Sequence, residues 1–456
     1  MRIKKKTAAV LICLTTLCIA MLPVFVMAKD YEPSEFDDWE YFYSFNNSII
    51  QRHAHPQVLL NLPIIRQATS YTNGAACVMS VLSYANYGFD IRESELADAL
   101  GANEDEGVLA SEMVDYLNAA RLDGDPDAYF SAEFRQGMTL SDLKAELDNG
   151  RPVICAIQAW NWNDEDGSYS MDLDYTDEWE CGHWVVAVGY NNNNVFFMDP
   201  STAANYTYIP NDKLMERWHD YEGTELTSES RIVQAGIVVK LLRDEVPDGE
   251  RYKDAFYGLP RNAGPRTIMK LPLYRQSKSY TDGPACMLSV MRYAGYYFDI
   301  REDNMELALG TDSYNGVDPS KMVRYLNAVR LDEKEDQCFD AELKKNMSLD
   351  ELKNEIGSGH PVICAIQPVD NSGGSENGHW AVAMGYDADN IFFMDPSTAA
   401  GYTYLSNNDF TDKWDTSIGA EGQPATEYKQ AGIIVEICGD QEPDCVRYKD
   451  AFYGLM

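Results

Sequence analysis

Between Ala75 and Tyr87 the chain has neither glycine nor proline, and Val78, Val81, Leu82 and Tyr84 fall at spacings of three and four, the pattern of a buried helix. A second helix is expected from Arg92, and a third from Ser111 carrying Met113, Tyr116 and Leu117. A fourth begins at Thr139-x-x-Asp142, a capping-box spacing, and ends at Gly150 and Pro152. Beyond Pro152 the pattern changes to short apolar runs between turn residues: Val153 to Gln158, Trp184 to Val188, Val195 to Met198, Tyr206 to Ile209 and Gly236 to Leu241. Helices first and antiparallel strands second predict an α+β domain.

The whole pattern occurs twice. LPIIRQATSYTNGAACVMSVLSYANYGFDIRE near residue 62 returns as LPLYRQSKSYTDGPACMLSVMRYAGYYFDIRE near 271, so Gln67 corresponds to Gln276 and Ser348-x-x-Glu351 to the capping box. PVICAIQ repeats at Pro152 and Pro361, GHW at Gly182 and Gly378, FFMDPSTAA at Phe196 and Phe392, and RYKDAFYGL at Arg251 and Arg447. The offset drops from 209 to 196 between PVICAIQ and GHW, where the first copy carries the acidic, aromatic insert Trp160 to Trp179. Two copies are too few for a solenoid. The expected organisation is a leader over 1–28, an N-terminal segment over 29–56, domains over 57–242 and 266–438, a linker over 243–265, and a tail over 439–456 that repeats the linker motif.

Basic Arg2 to Lys6, the apolar run Ala8 to Met27 and the small-residue pattern Val26-Met27-Ala28 predict a cleaved secretory signal, with an uncleaved anchor as the alternative. Neither Cys13 nor Cys18 has the small preceding residue of a lipoprotein signal. The mature chain is therefore expected to be secreted or extracytoplasmic, with no membrane contact. The formal charge of −36 deepens to −40 once Arg2, Lys4, Lys5 and Lys6 leave with the leader. Such a surface repels phosphate backbones and anionic headgroups, so nucleic-acid binding is excluded from the expected functions.

His183 and Asp199 lie 16 residues apart, as do His379 and Asp395, and a hairpin turning at Asn191 to Asn194 would set each pair roughly opposite. This suits a carboxylate that orients an imidazole; an ordinary hairpin ending in an Asp-Pro turn would read the same way. Taken together, the Gln, Ser-Tyr-x-x-Gly-[Ala/Pro]-Ala, Pro-Val-Ile-x-Ala-Ile-Gln, Gly-His-Trp and Phe-Met-Asp-Pro motifs resemble the C39-like peptidases, bacterial cysteine peptidases of papain-like fold, across nearly all of both repeats. The resemblance implies helices packed on a C-terminal antiparallel sheet, duplicated in tandem. It also implies a site of helix-starting Cys, general-base His, orienting Asp and an oxyanion-hole Gln six residues before the Cys. Gln67, His183 and Asp199 match in the first copy, and Gln276, His379 and Asp395 in the second.

The nucleophile position departs from that pattern: Asn73 and Asp282 stand where Cys is implied. A cysteine peptidase needs a thiolate, which neither an amide nor a carboxylate replaces, so both copies are expected to be catalytically degenerate. Asn and Asp suit a helix N-cap, and Asp282 would pair with protonated His379. Cys77 and Cys286, one turn further along the same face, are alternative nucleophiles, as is Cys181, which would share a strand face with His183. The same thiols could be small core residues. Bridges Cys77–Cys155, Cys286–Cys364 and Cys438–Cys445 suit an exported chain, with buried thiols slightly favoured in the two PVIC strands. The insert's aspartates fail the EF-hand spacing, and no metal or other cofactor is implied. Its aromatic residues would offer a stacking surface beside the cleft that the resemblance implies between the helical and sheet parts of each domain.

Three functions follow from these features. The first is a secreted pseudopeptidase that binds a peptide or protein ligand, preferentially basic. The second is an active thiol peptidase on Cys77, Cys286 or Cys181, and the third a structural surface protein assembling through RYKDAFYGL.

Overall fold

A computed structural model describes residues 57–243 and 267–438, except for most of 160–180, for 202–205, 224–226, 295–299, 331–336, 368–377, 398–402 and 419–425, and for a few single positions. The expected leader, N-terminal segment and tail, with Cys445, and nearly all of the linker lie outside the described residues. Among those described, no helix is long and apolar enough to cross a membrane.

The apolar spacing after Thr72 produces helix α1 (Asn73–Tyr84), followed by α2 (Glu93–Ala99) and α3 (Ala110–Ala119). Helix α4 (Leu140–Asp148) opens on the capping box: the Asp142 amide donates to Thr139 Oγ1 at 3.1 Å, and the Thr139 amide donates back to Asp142 Oδ2 at 2.8 Å. Around these helices run β1 (Val58–Leu59), β2 (Phe130–Arg135), β3 (Val153–Gln158), β6 (Gly182–Tyr190), β7 (Asn194–Met198), β8 (Thr207–Pro210) and β11 (Gly236–Leu241). Within the insert, β4 (Trp162–Asn163) pairs with β5 (Ser168–Tyr169). Helix α5 (Asn211–Arg217) leads to the small ladder of β9 (His219–Tyr221) and β10 (Arg231–Val233).

The main sheet runs β2-β11-β3-β6-β7-β8, with β1 added to β6, and its ladders are antiparallel. Every residue of β3 is buried, as are seven of the nine in β6, because α1 packs on β6 and α4 packs on both strands. Burial on both faces explains why these strands read as continuous apolar runs rather than alternating ones. The second half repeats this scheme with α6 (Asp282–Tyr293), α7 (Glu302–Leu309), α8 (Pro319–Ala328), α9 (Leu349–Gly357) and α10 (Asn407–Lys413). Its strands are β12 (Thr267–Ile268), β13 (Phe339–Lys344), β14 (Val362–Ile366), β15 (His379–Tyr386), β16 (Asn390–Met394), β17 (Thr403–Ser406), β18 (Asp415–Ile418), β19 (Thr426–Lys429) and β20 (Gly432–Ile437). Their main-sheet order is β13-β20-β14-β15-β16-β17, and each half builds its own hydrophobic core.

Each half is α+β with an antiparallel sheet, as expected, and differs from the sequence pattern in one strand that comes earlier in the chain. Strands β2 and β13 interrupt the helices and pair with the last strand of their own half, with Phe130 opposite Leu241 and Phe339 opposite Ile437. Phe130 and Ala132 point inward while Ser131 and Glu133 face water, a half-buried alternation too brief to stand out between two helical patterns.

A bulge in β6 between Ala187 and Gly189 recurs before Gly385 in β15. A Cβ on Gly189 would collide with the Val58 carbonyl oxygen and lie 3.0 Å from Leu59 Cα. Gly189→Ala is therefore expected to prise β1 from the sheet and cost about 1–3 kcal/mol. A lowered urea midpoint would report it, and an unchanged midpoint would mean that β1 adds nothing to stability.

Candidate functional site

The two halves place the same four positions together. In the first, Asn73 opens α1, His183 stands second in β6, Asp199 lies just beyond β7, and Gln67 precedes α1. The β6–β7 ladder ends at Val186 opposite Met198, so His183 and Asp199 are not opposite across the hairpin. Their side chains meet on a diagonal instead, with His183 Nε2 at 2.9 Å from Asp199 Oδ1. Asn73 Nδ2 lies 3.0 Å from His183 Nδ1, a contact in which the amide donates and the ring nitrogen accepts.

The N-cap expectation for Asn73 and Asp282 is corrected. Thr72 and Thr281 hold the cap positions, Asn73 and Asp282 are the first helical residues, and their side chains turn to the imidazoles. Thr72 and Thr281 do not cap through their own side chains. The Thr72 hydroxyl donates instead to Glu93 Oε1 at 2.7 Å.

The second copy differs in charge. Asp282 Oδ2 accepts from His379 Nδ1 at 3.0 Å and from the Trp380 amide at 2.9 Å, while Oδ1 accepts from the Gly283 amide at 2.9 Å. His379 Nε2 lies 2.8 Å from Asp395 Oδ1, so the ring is held between two carboxylates. Burial opposes the charged ring, but the Asp395 and Asp282 charges and hydrogen bonds outweigh it and push His379 up to about 10. Burial would likewise raise Asp199 and Asp395. The neighbouring imidazole and the Ser201 or Ser397 hydrogen bonds instead hold each below the ordinary carboxylate value.

Ser201 and Ser397 are site residues that sequence reasoning missed. Each donates its amide at 2.9 Å and its hydroxyl at 2.8 Å to the orienting Asp, and the repeated DPST string was the available signal. The Gln67 amide donates to the Pro200 carbonyl at 2.8 Å, and the Gln276 amide to Pro396 at 2.9 Å, so the Gln loop is stitched to the Asp-Pro turn. Both Gln side chains are buried and donate at 2.8 Å to the carbonyl two residues on. Their Oε1 atoms have no hydrogen-bond partner among the described residues.

The alternative nucleophiles occupy other surroundings. Cys77 and Cys286 lie fully buried and donate to the carbonyls of Trp184 and Trp380 at 3.3 Å, and burial pushes both thiols well above their ordinary value. That direction opposes thiolate formation. Cys181 is partly exposed, and its amide donates to Gln158 Oε1 at 2.9 Å. Cys77, Cys155, Cys286 and Cys364 are all thiols, so the two proposed core bridges are not made. Most of the Trp160–Trp179 insert, with its aspartates other than Asp177, lies outside the described residues. Its last aromatic, Trp179, packs against His219 in a tilted arrangement with centroids 4.2 Å apart, and Arg231 lies 4.5 Å over the same ring. Beside them Asp220, pushed up to about 7 mainly by burial, fills the space over Gly182, where the second copy has Thr416 over Gly378.

The model of the Peptidase_C39 like family matches residues 59–226 and again 268–420, and both matches contain a complete set of these four positions. The chain belongs to the peptidase C39-like family. Its fold is α+β and papain-like, present twice in tandem. No curated protein matches this C39-like chain. Among solved structures it is similar to the double glycine motif protease of an AMS/PCAT transporter in complex with the leader peptide, at 16% identity over 41% of this chain and 95% of that one, TM-score 0.25. A C39-like peptidase from Bacillus anthracis matches at 17% identity over 40% and 96%, TM-score 0.28. The peptidase domain of Streptococcus ComA, a bifunctional ABC transporter involved in quorum sensing, matches at 15% identity over 36% and 98%, TM-score 0.26.

Proposed function

We propose that this C39-like protein is an exported, catalytically silent tandem that binds extended, basic polypeptide in its two clefts without cutting it. The observation that carries the reading is the occupant of the nucleophile position: a neutral amide in one copy and a carboxylate in the other, each 3.0 Å from an imidazole Nδ1. Neither group replaces a thiolate in attack on a peptide carbonyl. The retained apparatus offers a shaped polar site in place of a reactive one, since each copy keeps its oriented His–Asp pair beside that position. The formal charge of −36 would draw in cationic chains over a Debye length. Export is supported by the leader-like segment 1–28.

The test is incubation of the wild-type chain with a fluorescein-labelled, lysine-rich unstructured peptide. Polarisation is expected to rise at low ionic strength and to fall as salt is added, while mass spectrometry finds the peptide intact. A cleaved peptide, with cleavage abolished by alkylating the protein, would replace this reading with the active thiol peptidase. Absence of binding at low salt would remove the binding role.

A further inference from the structure

The loops that carry Gln67 and Gln276 also make the contact between the two halves. The Ser94 amide donates to the Ser277 carbonyl at 3.2 Å, and the Asp303 amide donates to the Ala68 carbonyl at 3.2 Å. Ser94 corresponds to Asp303 and Ala68 to Ser277 in the duplicated sequence, so the two bonds are one contact made twice in opposite senses. Such reciprocity defines an isologous, two-fold interface, here within a single chain. The Ser94 hydroxyl adds a bond to the Ser277 carbonyl at 2.8 Å. A small cavity between the halves is lined by Ile65, Arg66 and Glu93 on one side and by Tyr274, Arg275 and Gln276 on the other.

Behind each contact a buried glutamate holds the site loop. Glu93 Oε1 accepts from the Ala68 amide at 2.8 Å and from Thr72 Oγ1 at 2.7 Å, gripping the loop between Gln67 and Asn73. Glu302 Oε1 accepts from the Ser277 amide at 2.8 Å and the Ser277 hydroxyl at 2.7 Å, and it is also hydrogen-bonded by Thr281, next to Asp282. We propose that each repeat is the other's docking partner through its site loop, and that Glu93 and Glu302 are positioning residues transmitting the state of one loop to the other.

The route is short. Ala68, held by Glu93, bonds the first turn of α7, whose first residue Glu302 holds Ser277, and Ser277 bonds Ser94 in the first turn of α2. The groups facing these carboxyls are defined. Glu93 feels Glu302 and Arg301 across the interface, and Glu302 feels Glu306, which is paired to Lys278 at 2.7 Å and bonded by Tyr280 at 3.1 Å. Burial, opposed by these hydrogen bonds, pushes Glu93 up to about 8 and Glu302 to about 7.

The inference rests on reading 67–73 and 276–282 as site loops, yet its test measures association and loop protection rather than ligand binding, so it can fail alone. A specific protease site placed within 244–266 allows the folded full chain to be cut. The halves are expected to sediment as one species at micromolar concentration, and to separate when Ser94→Arg is also present. In the uncut chain, Ser94→Arg is expected to speed amide exchange across 276–283 by about tenfold, while the exposed control Glu112→Arg leaves it unchanged. Wild-type halves that part on cutting would overturn the interface. Unchanged exchange in the Ser94→Arg chain would overturn the coupling.

Discussion

Asn73→Cys is expected to create a thiol that iodoacetamide labels near pH 6 at least about a hundredfold faster than any cysteine of the wild-type chain. The first turn of α1 favours the thiolate through its unpaired amides, and His183 lies within proton-transfer reach with its far nitrogen already engaged by Asp199. Asn73 is half-buried, so reagent reaches it, whereas Cys77, one turn on, is sealed in the core. The gain should vanish when His183→Ala is added, because the thiol then lacks its base. Labelling at the substituted position is read by mass spectrometry, and hydrolysis of an unstructured peptide by the same variant is expected to rise above the wild-type background. A new thiol no more reactive than Cys77 would show that this position is not a nucleophile site.

The second large effect belongs to the other copy. His379→Ala would strand Asp282 and Asp395 as buried carboxylates without their shared cation, at an expected cost of about 3–5 kcal/mol. His183→Ala breaks one hydrogen bond to a neutral amide and one to Asp199, and is expected to cost about 1–3 kcal/mol. The same groups set a pH dependence. His379 keeps its proton to about 10 when folded, so its stabilisation is complete below its ordinary value near 6.5 and is lost as pH rises through 10. Glu93 and Glu302 bind protons in the folded state that the unfolded chain releases near 4.5, so they too favour the fold in mild acid and lose that contribution as pH rises through 7 to 8. Unfolding titrations are therefore expected to show falling stability from pH 5 to 9. Glu93→Gln with Glu302→Gln should flatten the lower part of that fall and His379→Ala the upper part. A stability that rises over this interval would contradict all three assignments.

Much of this was legible because the duplication reads each element twice. The α1 spacing, the capping boxes and the PVIC and GHW strands lie where their patterns place them, since each pattern records a local cause: a helix face, a reciprocal cap, a doubly buried strand. The turn of Asn73 and Asp282 away from capping was not legible, because an imidazole more than ninety residues away competes with the local amides for the same side chain. Glu93 and Glu302 escaped for a related reason. In FDIRE each looks like a solvated first-turn acid, and only the Thr72 and Ser277 contacts, made at a distance along the chain, draw it inside.

The reciprocal bonds of Ser94 and Asp303 have a further consequence, for direction. A two-fold axis reverses the sense of a line that crosses it at right angles, and a polypeptide reads differently from its two ends. One straight strand running through both clefts would be met amino-end first in one and carboxyl-end first in the other. On the proposed binding role, chains lying across the axis would occupy the two sites antiparallel, as a pair or as a single chain folded back as a hairpin.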